Sequence, residues 1–419
     1  MGIISGVILA RWLGPYDRGL LALVLLVPST VVTITKLGVS QATIYYINRR
    51  EASVDRVASN SVMLALVLGA LSALLVWGLR DNVLAIVLKD IPSWALGIAL
   101  LRVPMLLLDN YLYGILQATG QFTVYNTRLL ISEALRLLLV AILVMGFDLG
   151  LLAAVVIYTS IGFVNMGWLL FTMSRTVRFR LEFDRPLLAN MLSFGVRSYL
   201  QVVTAHLLLR ISIYMVQIYL GTAQTAFYAL ALHFTELVLE VPQAIGLVLY
   251  PRLAALPEEE IHRLSAQTCR RTLIVTAPAA LGMALLGPWI ITLWYGQAYA
   301  PAGAPLPWAA VGVAMMAIFV IITRSFTARS KQRVNTTAGI VALVANVLLN
   351  TYLIPNYGIV GAALATAISY TGACVILIAA FCAESGLSWT TVVVPTREDF
   401  RFFLEIAQRG LLSARERFV

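Results

Sequence analysis

Ionised side chains inside long apolar runs are the residues of this sequence best placed to do chemistry. Lys36 lies in such a run with Thr33, Ser40 and Thr43 at helical spacing, a polar stripe that carries one cation. Arg210 shares a helical face with His206 and Gln217, and Arg197 lies with Gln201 and Thr204 on the opposite face. Arg11 sits at the far end of the first apolar segment. A charge at the centre of a bilayer costs about 2.5–3.5 kcal/mol on insertion scales, so each of these residues needs a use. Guanidinium and ammonium groups facing a water-filled cavity attract a bulky anion. Lys36, Arg210, Arg197 and Arg11 are therefore the candidate substrate-binding cations.

A second set is acidic or neutral. His233, Glu236, Glu240 and Gln243 share one face of a later segment. Carboxylates held away from water can exchange protons near neutral pH, which makes Glu236, Glu240 and His233 coupling candidates. The competing reading is that the acids neutralise Arg210 and Arg197. Arg102, Asp109, Glu133 and Arg136 balance in charge and read as a structural network between adjacent helices, with Arg102 and Asp109 on one face. Asn346 and Asn350, one helical turn apart, form with Thr366 a weak sodium candidate, with hydrogen bonding between helices as the simpler account. No P-loop or nucleophile elbow occurs, and His206, His233 and His262 lack metal-like spacing, so no metal, cofactor or enzyme activity is expected.

The elements that must position these residues are membrane helices. The 419 residues are 60% hydrophobic and only 12% charged, with a mean hydropathy of +0.87, and a soluble domain carries about 25% charged residues. Lipid leaves the edges of open strands unpaired, so the expected fold is all-α. Punctuation by charge, Gly and Pro gives about 12 transmembrane helices. They cover 1–13, 19–47, 58–79, 94–117, 124–146, 149–173, 190–219, 225–254, 270–294, 304–327, 334–354 and 358–383. The first is too short to cross a bilayer and reads as truncated. Residues 257–264 read as a short separate cytoplasmic helix opening on Pro257 and three acids. Residues 395–419 read as an interfacial or disordered charged stretch.

Charge orients the segments. One set of connections holds clusters such as Arg49, Arg50 and Arg56, or Arg175, Arg178, Arg180 and Arg185. The alternate set holds only Arg11, Arg18, Arg80 and Lys89. This asymmetry places both termini in the cytoplasm of a multi-pass protein. The net charge of +10 is dispersed between apolar segments and forms no compact basic domain, so no nucleic-acid partner is expected. Cys269, Cys374 and Cys382 fall in or beside apolar spans, which favours plain packing.

The pattern is written twice. Leu13–Leu23 aligns with Leu220–Leu230 at an offset of 207, Gln117–Gln121 with Thr327–Lys331 at 210, and Asp148–Ala153 with Gly358–Ala363 at 210. Duplicated bundles are a recurring transporter design. The repeat divides the chain into 1–173 (spans 1–6), a cytoplasmic linker 174–189, 190–383 (spans 7–12) and a charged cytoplasmic tail 384–419.

Ordered motifs carry a resemblance over about 10–383. They are Ala10–Pro15, Gly114–Gly120, Leu249–Leu253 and Ile354–Thr366. The chain resembles the polysaccharide (Wzx-type) flippases of the multidrug/oligosaccharidyl-lipid/polysaccharide (MOP) exporter superfamily. That resemblance implies two six-helix lobes around a central cavity that opens alternately to each side. It also implies a polyprenyl-pyrophosphate-linked oligosaccharide as cargo, for O-antigen or exopolysaccharide synthesis, and the bacterial cytoplasmic (inner) membrane as location. Membrane lipids, a polysaccharide polymerase and chain-length proteins are the implied partners. Rival readings are a MATE-like or lipid II-type exporter of the same superfamily, a membrane glycosyltransferase or polymerase, and a non-transporting scaffold.

Overall fold

A computed structural model describes residues 2–88, 90–175, 177 and 184–405, without the side chains of residues 197 and 198. All regular structure among the described residues is helical. Among the described residues, ten helices are long and apolar enough to cross a membrane. Two of these, α1 (Gly2–Thr35) and α13 (Gln332–Ser385), are each broken by one glycine with non-helical dihedrals, Gly14 and Gly358. Each therefore holds two of the segments expected from the sequence, a division compatible with twelve. α3 (Val54–Leu79) explains why lipid is required. Its most apolar window is only 17% buried within the protein, and Leu66, Leu71, Leu74 and Leu75 are exposed on it. So large an uncovered apolar face is stable only against hydrocarbon.

The chain packs as two compact units, Met1–Ala229 with Thr292–Tyr299, and Leu230–Ile291 with Ala300–Val419. The first contains α1, α2 (Val39–Asn48), α3, α4 (Ala85–Leu88), α5 (Ser93–Leu100), α6 (Arg102–Ala118), α7 (Phe122–Leu139) and α8 (Gly150–Ser174). A π-helical stretch, Val140–Gly146, continues α7. α9 (Arg185–Leu220), which opens the second sequence repeat, also packs here. Asp184 caps α9 by accepting from the Leu187 N–H at 3.0 Å, and its backbone exchanges two hydrogen bonds with the Asn60 side chain. Arg56 adds an ion pair to the Asp184 carboxylate. The core is aliphatic, with Leu9, Leu21, Leu23, Leu96, Leu107, Leu108, Leu112 and Tyr111 almost completely buried.

The second unit contains most of α10 (Thr222–Ala254) and of α11 (Glu258–Tyr295), with α12 (Leu306–Ala328), α13 and the short α14 (Trp389–Val393). α12 lies against the second half of α13 closely enough that a Cβ on Gly312 would stand 3.0 Å from the Ala367 Cα. The Gly361, Ala365, Ser369 and Ala373 stripe is buried, as expected of a close-packing face. Residues 257–264 do not form a separate helix. α11 starts at Glu258 and runs unbroken to Tyr295, because neither a Gly nor a Pro interrupts it between the acids and the apolar span. The tail begins as ordered structure. A helical stretch over 397–405 buries Asp399, which accepts from Arg270 Nε at 2.6 Å, Arg271 Nε at 3.3 Å and Thr396. Residues 406–419 lie outside the described residues.

The repeat survives as backbone geometry. Gly14 (φ 72°, ψ 173°) and its counterpart Gly221 (φ 81°, ψ −175°) adopt the same conformation. Gly120 and Ser330 both have positive φ, 70° and 60°, and both close their helices with the same pair of bonds. Gln121 N–H reaches Leu116 O at 2.8 Å as Lys331 N–H reaches Phe326 O at 2.8 Å, and Gly120 and Ser330 reach back three residues. Those are paired Schellman caps. Asp148 (φ 50°) matches Gly358 (φ 60°).

One feature is not repeated. The expected continuous span over 19–47 is interrupted at 36–38, where Leu37 and Gly38 take positive φ of 47° and 69°. The counterpart residues near 243–245 lie within the unbroken α10. The break coincides with a close crossing of α9, since a Cβ on Gly38 would stand 2.5 Å from the Gly195 carbonyl oxygen.

Candidate functional site

The break at 36–38 places Lys36 beside α9. The Tyr111 hydroxyl on α6 donates to the Lys36 carbonyl at 3.3 Å, and Ser40 Oγ donates to the Asn110 carbonyl at 2.8 Å. The polar stripe read from the sequence therefore divides. Ser40 serves the helix packing, while Thr33 and Lys36 turn to α9. His206 is the centre of that side: its Nε2 lies 3.3 Å from Thr30 Oγ1 and its Nδ1 lies 3.5 Å from Thr33 Oγ1. The Tyr214 hydroxyl donates to Thr30 Oγ1 at 2.9 Å. With the proton on Nδ1, Tyr214, Thr30, His206 and Thr33 form one directional chain of donors and acceptors.

Lys36 and Arg210 both lie within electrostatic reach of this ring. Arg210 also acts on Tyr214. Among the described residues no carboxylate acts on the Lys36 ammonium. The result is a half-buried patch with two cations, an imidazole and three hydroxyls, inside candidate membrane spans. Such a patch offers donors and positive charge to an anion whose other oxygens need hydroxyl partners.

Arg11 and Gln217 make contacts of their own. Arg11 donates from Nε to the Trp294 carbonyl at 2.7 Å and from Nη2 to the Leu293 carbonyl at 2.8 Å, capping the last turn of α11. At 1.5 Å per residue it is roughly 35 Å of helix from Lys36. A cation on carbonyls at a helix C-terminus is a satisfied structural group. Gln217 is fully buried in a separate network, bonding Asp90 at 2.8 Å and accepting from Thr225 at 3.0 Å, around the turn at Gly221. The Arg197 side chain lies outside the described residues. On α10, Glu236 is half-buried, and His233 and Glu240 are exposed.

The charged residues of α6 and α7 pair as follows, with Arg128 joining the four read from the sequence. Asp109 pairs in a bidentate contact with Arg128 of α7, not with Arg102 on its own helix, and Glu133 pairs with Arg136. Arg128, near the start of the segment expected over 124–146, has a side chain only 3% exposed. Asn346 and Asn350 are buried, and Asn350 Nδ2 donates to Asn346 Oδ1 at 2.8 Å and to its carbonyl at 2.9 Å. Thr366 is buried in the other half of α13. One grouping escaped the sequence reading: ligand atoms of Glu258, His262 and Glu384 approach within 4.8 Å of one another. Both carboxylates there are held by Arg329 and Lys331, which makes the group an ion-pair cluster. The one-turn spacing of Glu258 and His262 was its only sequence signal.

Comparison with known proteins places this geometry. The chain's fold resembles that of the lipid II flippase MurJ in an inward closed conformation, with a TM-score of 0.72 at 14% identity, over 97% of this chain and 93% of MurJ. It also resembles an inward-facing MATE family multidrug resistance transporter of the MOP superfamily, with a TM-score of 0.71 at 16% identity, over 92% and 94% of the two chains. Two proteins of Haloferax volcanii are similar in sequence. The probable low-salt glycan biosynthesis flippase Agl15 is 26% identical over 164 residues, which is 38% of this chain and 34% of Agl15. The probable flippase AglR is 24% identical over 165 residues, 36% of this chain and 33% of AglR. The match thus spans about a third of the length of either relative. The family model described as polysaccharide biosynthesis protein matches residues 8–304. The chain is a multi-pass membrane protein whose fold is like those of MurJ and the MATE family transporter, and it belongs to the polysaccharide biosynthesis protein family.

Proposed function

We propose that this protein is a flippase that moves a polyprenyl-pyrophosphate-linked oligosaccharide across the cytoplasmic membrane by alternating access. The observation that carries the reading is the patch built on Lys36, His206 and Arg210. It combines two cations with a run of hydroxyl partners inside membrane-spanning segments, where an isolated charge is costly. A pyrophosphate is a compact dianion, and its attached sugars need hydroxyl and imidazole partners. Family membership and the flippase names of the two Haloferax volcanii relatives support the same class of cargo. The polyprenyl tail has no need of a polar path and stays in hydrocarbon.

Several finer statements belong to the same proposal. The repeat boundary at 174–189 divides the two lobes. The basic connections face the cytoplasm, as do both termini. Glu236, Glu240 and His233 are the candidates for coupling transport to protons, and Arg197 is a further cavity cation. A polysaccharide polymerase and chain-length proteins act downstream of the cargo.

The test is transport of a labelled polyprenyl-pyrophosphoryl oligosaccharide in proteoliposomes, wild type against Lys36→Ala and Arg210→Ala. Each substitution removes a charge-assisted contact worth about 1.5–3 kcal/mol, so each slows transport roughly 10- to 100-fold. Equal transport by all three proteins rejects the cationic patch as the headgroup site.

A further inference from the structure

A second basic site lies within the first unit. A cavity of about 140 Å³ opens between α6, α7 and α8, lined by Arg102, Arg128, Arg136, Asp109, Tyr158 and Asn165 among others. That is room for roughly five waters at ~30 Å³ each. All three helices are candidate membrane spans. Asp109 answers Arg128 and Glu133 answers Arg136, but among the described residues no carboxylate answers Arg102. Arg136, a like charge, acts on it, and the Tyr158 ring stands 5.9 Å from it.

The donors are in surplus as well as the charge. Arg102 Nε and Nη1, Arg128 Nε and Arg136 Nε are buried with no hydrogen-bond partner. A guanidinium does not escape burial by losing its proton, so unfilled donors in a low-dielectric setting call for an acceptor that brings negative charge. Phosphate oxygens match the planar fork of arginine. Asp109 keeps 28% of its side-chain surface, so the cavity is reachable from outside. Its anchoring residue stands apart from the Lys36 patch: Arg102 lies nine residues along α6 from Tyr111, roughly 13 Å of helix.

We propose that this cavity binds the phosphate group of an anionic membrane lipid, with Arg102 as the anchoring residue and Arg128 and Arg136 completing the donor set. Basic pockets between transmembrane helices recognise lipid headgroups in this way. The inference does not rest on the transport reading, and its test reads binding alone. The phosphate has two possible sources, a resident phospholipid and the phosphorylated polyprenyl carrier.

The experiment is native mass spectrometry of the purified full chain in detergent, titrated with phosphatidylglycerol and, as the uncharged control, diacylglycerol. Wild type and Lys36→Ala are expected to retain one phosphatidylglycerol and no diacylglycerol. Arg102→Gln is expected to bind it roughly tenfold more weakly. Arg102→Lys keeps the charge without the fork and falls between them, which keeps the test valid if the Gln variant folds poorly. Competition by undecaprenyl phosphate assigns the site to the carrier, and its absence assigns it to phospholipid. Equal binding by wild type and both Arg102 variants, no adduct on wild type, or loss in Lys36→Ala alone overturns the proposal.

Discussion

The crossing of α9 over the break in the first unit predicts how three Gly→Ala substitutions rank. At Gly38 the added methyl meets the Gly195 oxygen at 2.5 Å, its carbonyl carbon at 2.7 Å and its Cα at 2.8 Å, all backbone that has no rotamer to yield. Gly38 also has φ +69°, which costs a residue with a Cβ roughly 1–2 kcal/mol. Gly195 faces the same crossing from the other side, with the Leu37 oxygen 2.3 Å from its would-be Cβ and no positive φ. It carries the overpacking penalty alone, about 1–3 kcal/mol. Gly120 has φ +70° with open space around it, so it carries the conformational penalty alone. All three gain about 0.4–1 kcal/mol from a less free unfolded chain. Gly38→Ala should therefore lose about 2–4 kcal/mol, close to the sum of the other two losses. Reversible unfolding in mixed micelles by SDS titration measures the series. The same Gly38→Ala protein should also lose transport, since the methyl pushes Lys36 away from His206. A Gly38→Ala loss no larger than that of Gly120→Ala would refute the crossing as the cause of the break.

Two further outcomes follow from the ion pairs. Asp109→Asn leaves the 3%-exposed Arg128 without its carboxylate and should destabilise by about 3–5 kcal/mol, most of it recovered by adding Arg128→Met. The same SDS titration checks this, and equal losses in the single and double variants would count against a desolvated pair. The tail clasp should be pH-dependent only in acid. Burial alone would push the Asp399 carboxyl up, but Arg270 and Thr396 outweigh it and hold it below the ordinary aspartate value of 3.8. A lowered folded pKa means the contribution is fully present above the unfolded value and is lost as pH falls through the folded one. Amide exchange at 397–405, corrected for intrinsic rate, should be flat from pH 7 to about pH 5 and rise only below about pH 4. A rise near pH 6 would assign the clasp to another group.

Much of the helical architecture was legible because its punctuation is local. Gly14, Gly221, Gly120 and Gly358 each mark a turn that the hydropathy pattern also marks. Ser330 and Asp148 show how the repeat hides: each takes the positive φ of a glycine in the other copy, so the geometry persists where the residue type does not. Lys36 and Arg210 could be picked out singly because a charge in a span is conspicuous. Their meeting at His206 could not, since it depends on the break at Leu37–Gly38. The break falls at Gly38 inside the polar stripe, and the glycine it crosses, Gly195, lies on another helix. Helical phase puts Asp109 and Arg102 on one face, but phase is blind to the neighbouring helix that brings Arg128 to Asp109. The run of α11 through 257–264 was misread because acids and a proline announce where a helix starts, not whether the next span continues it.

The contacts of Arg11 set the order in which the protein can be completed. Arg11 reaches carbonyls 282 and 283 positions later in the chain, and the Tyr299 hydroxyl closes on the Ala10 carbonyl across 289. At about 5–20 residues per second, a ribosome needs roughly 15–60 s to make the chain between them. Through that interval the opening helix waits in the membrane or the insertion machinery with a cation and a carbonyl unanswered. Ala10 and Arg11 thus gain their partners only after residues 293–299 have been made.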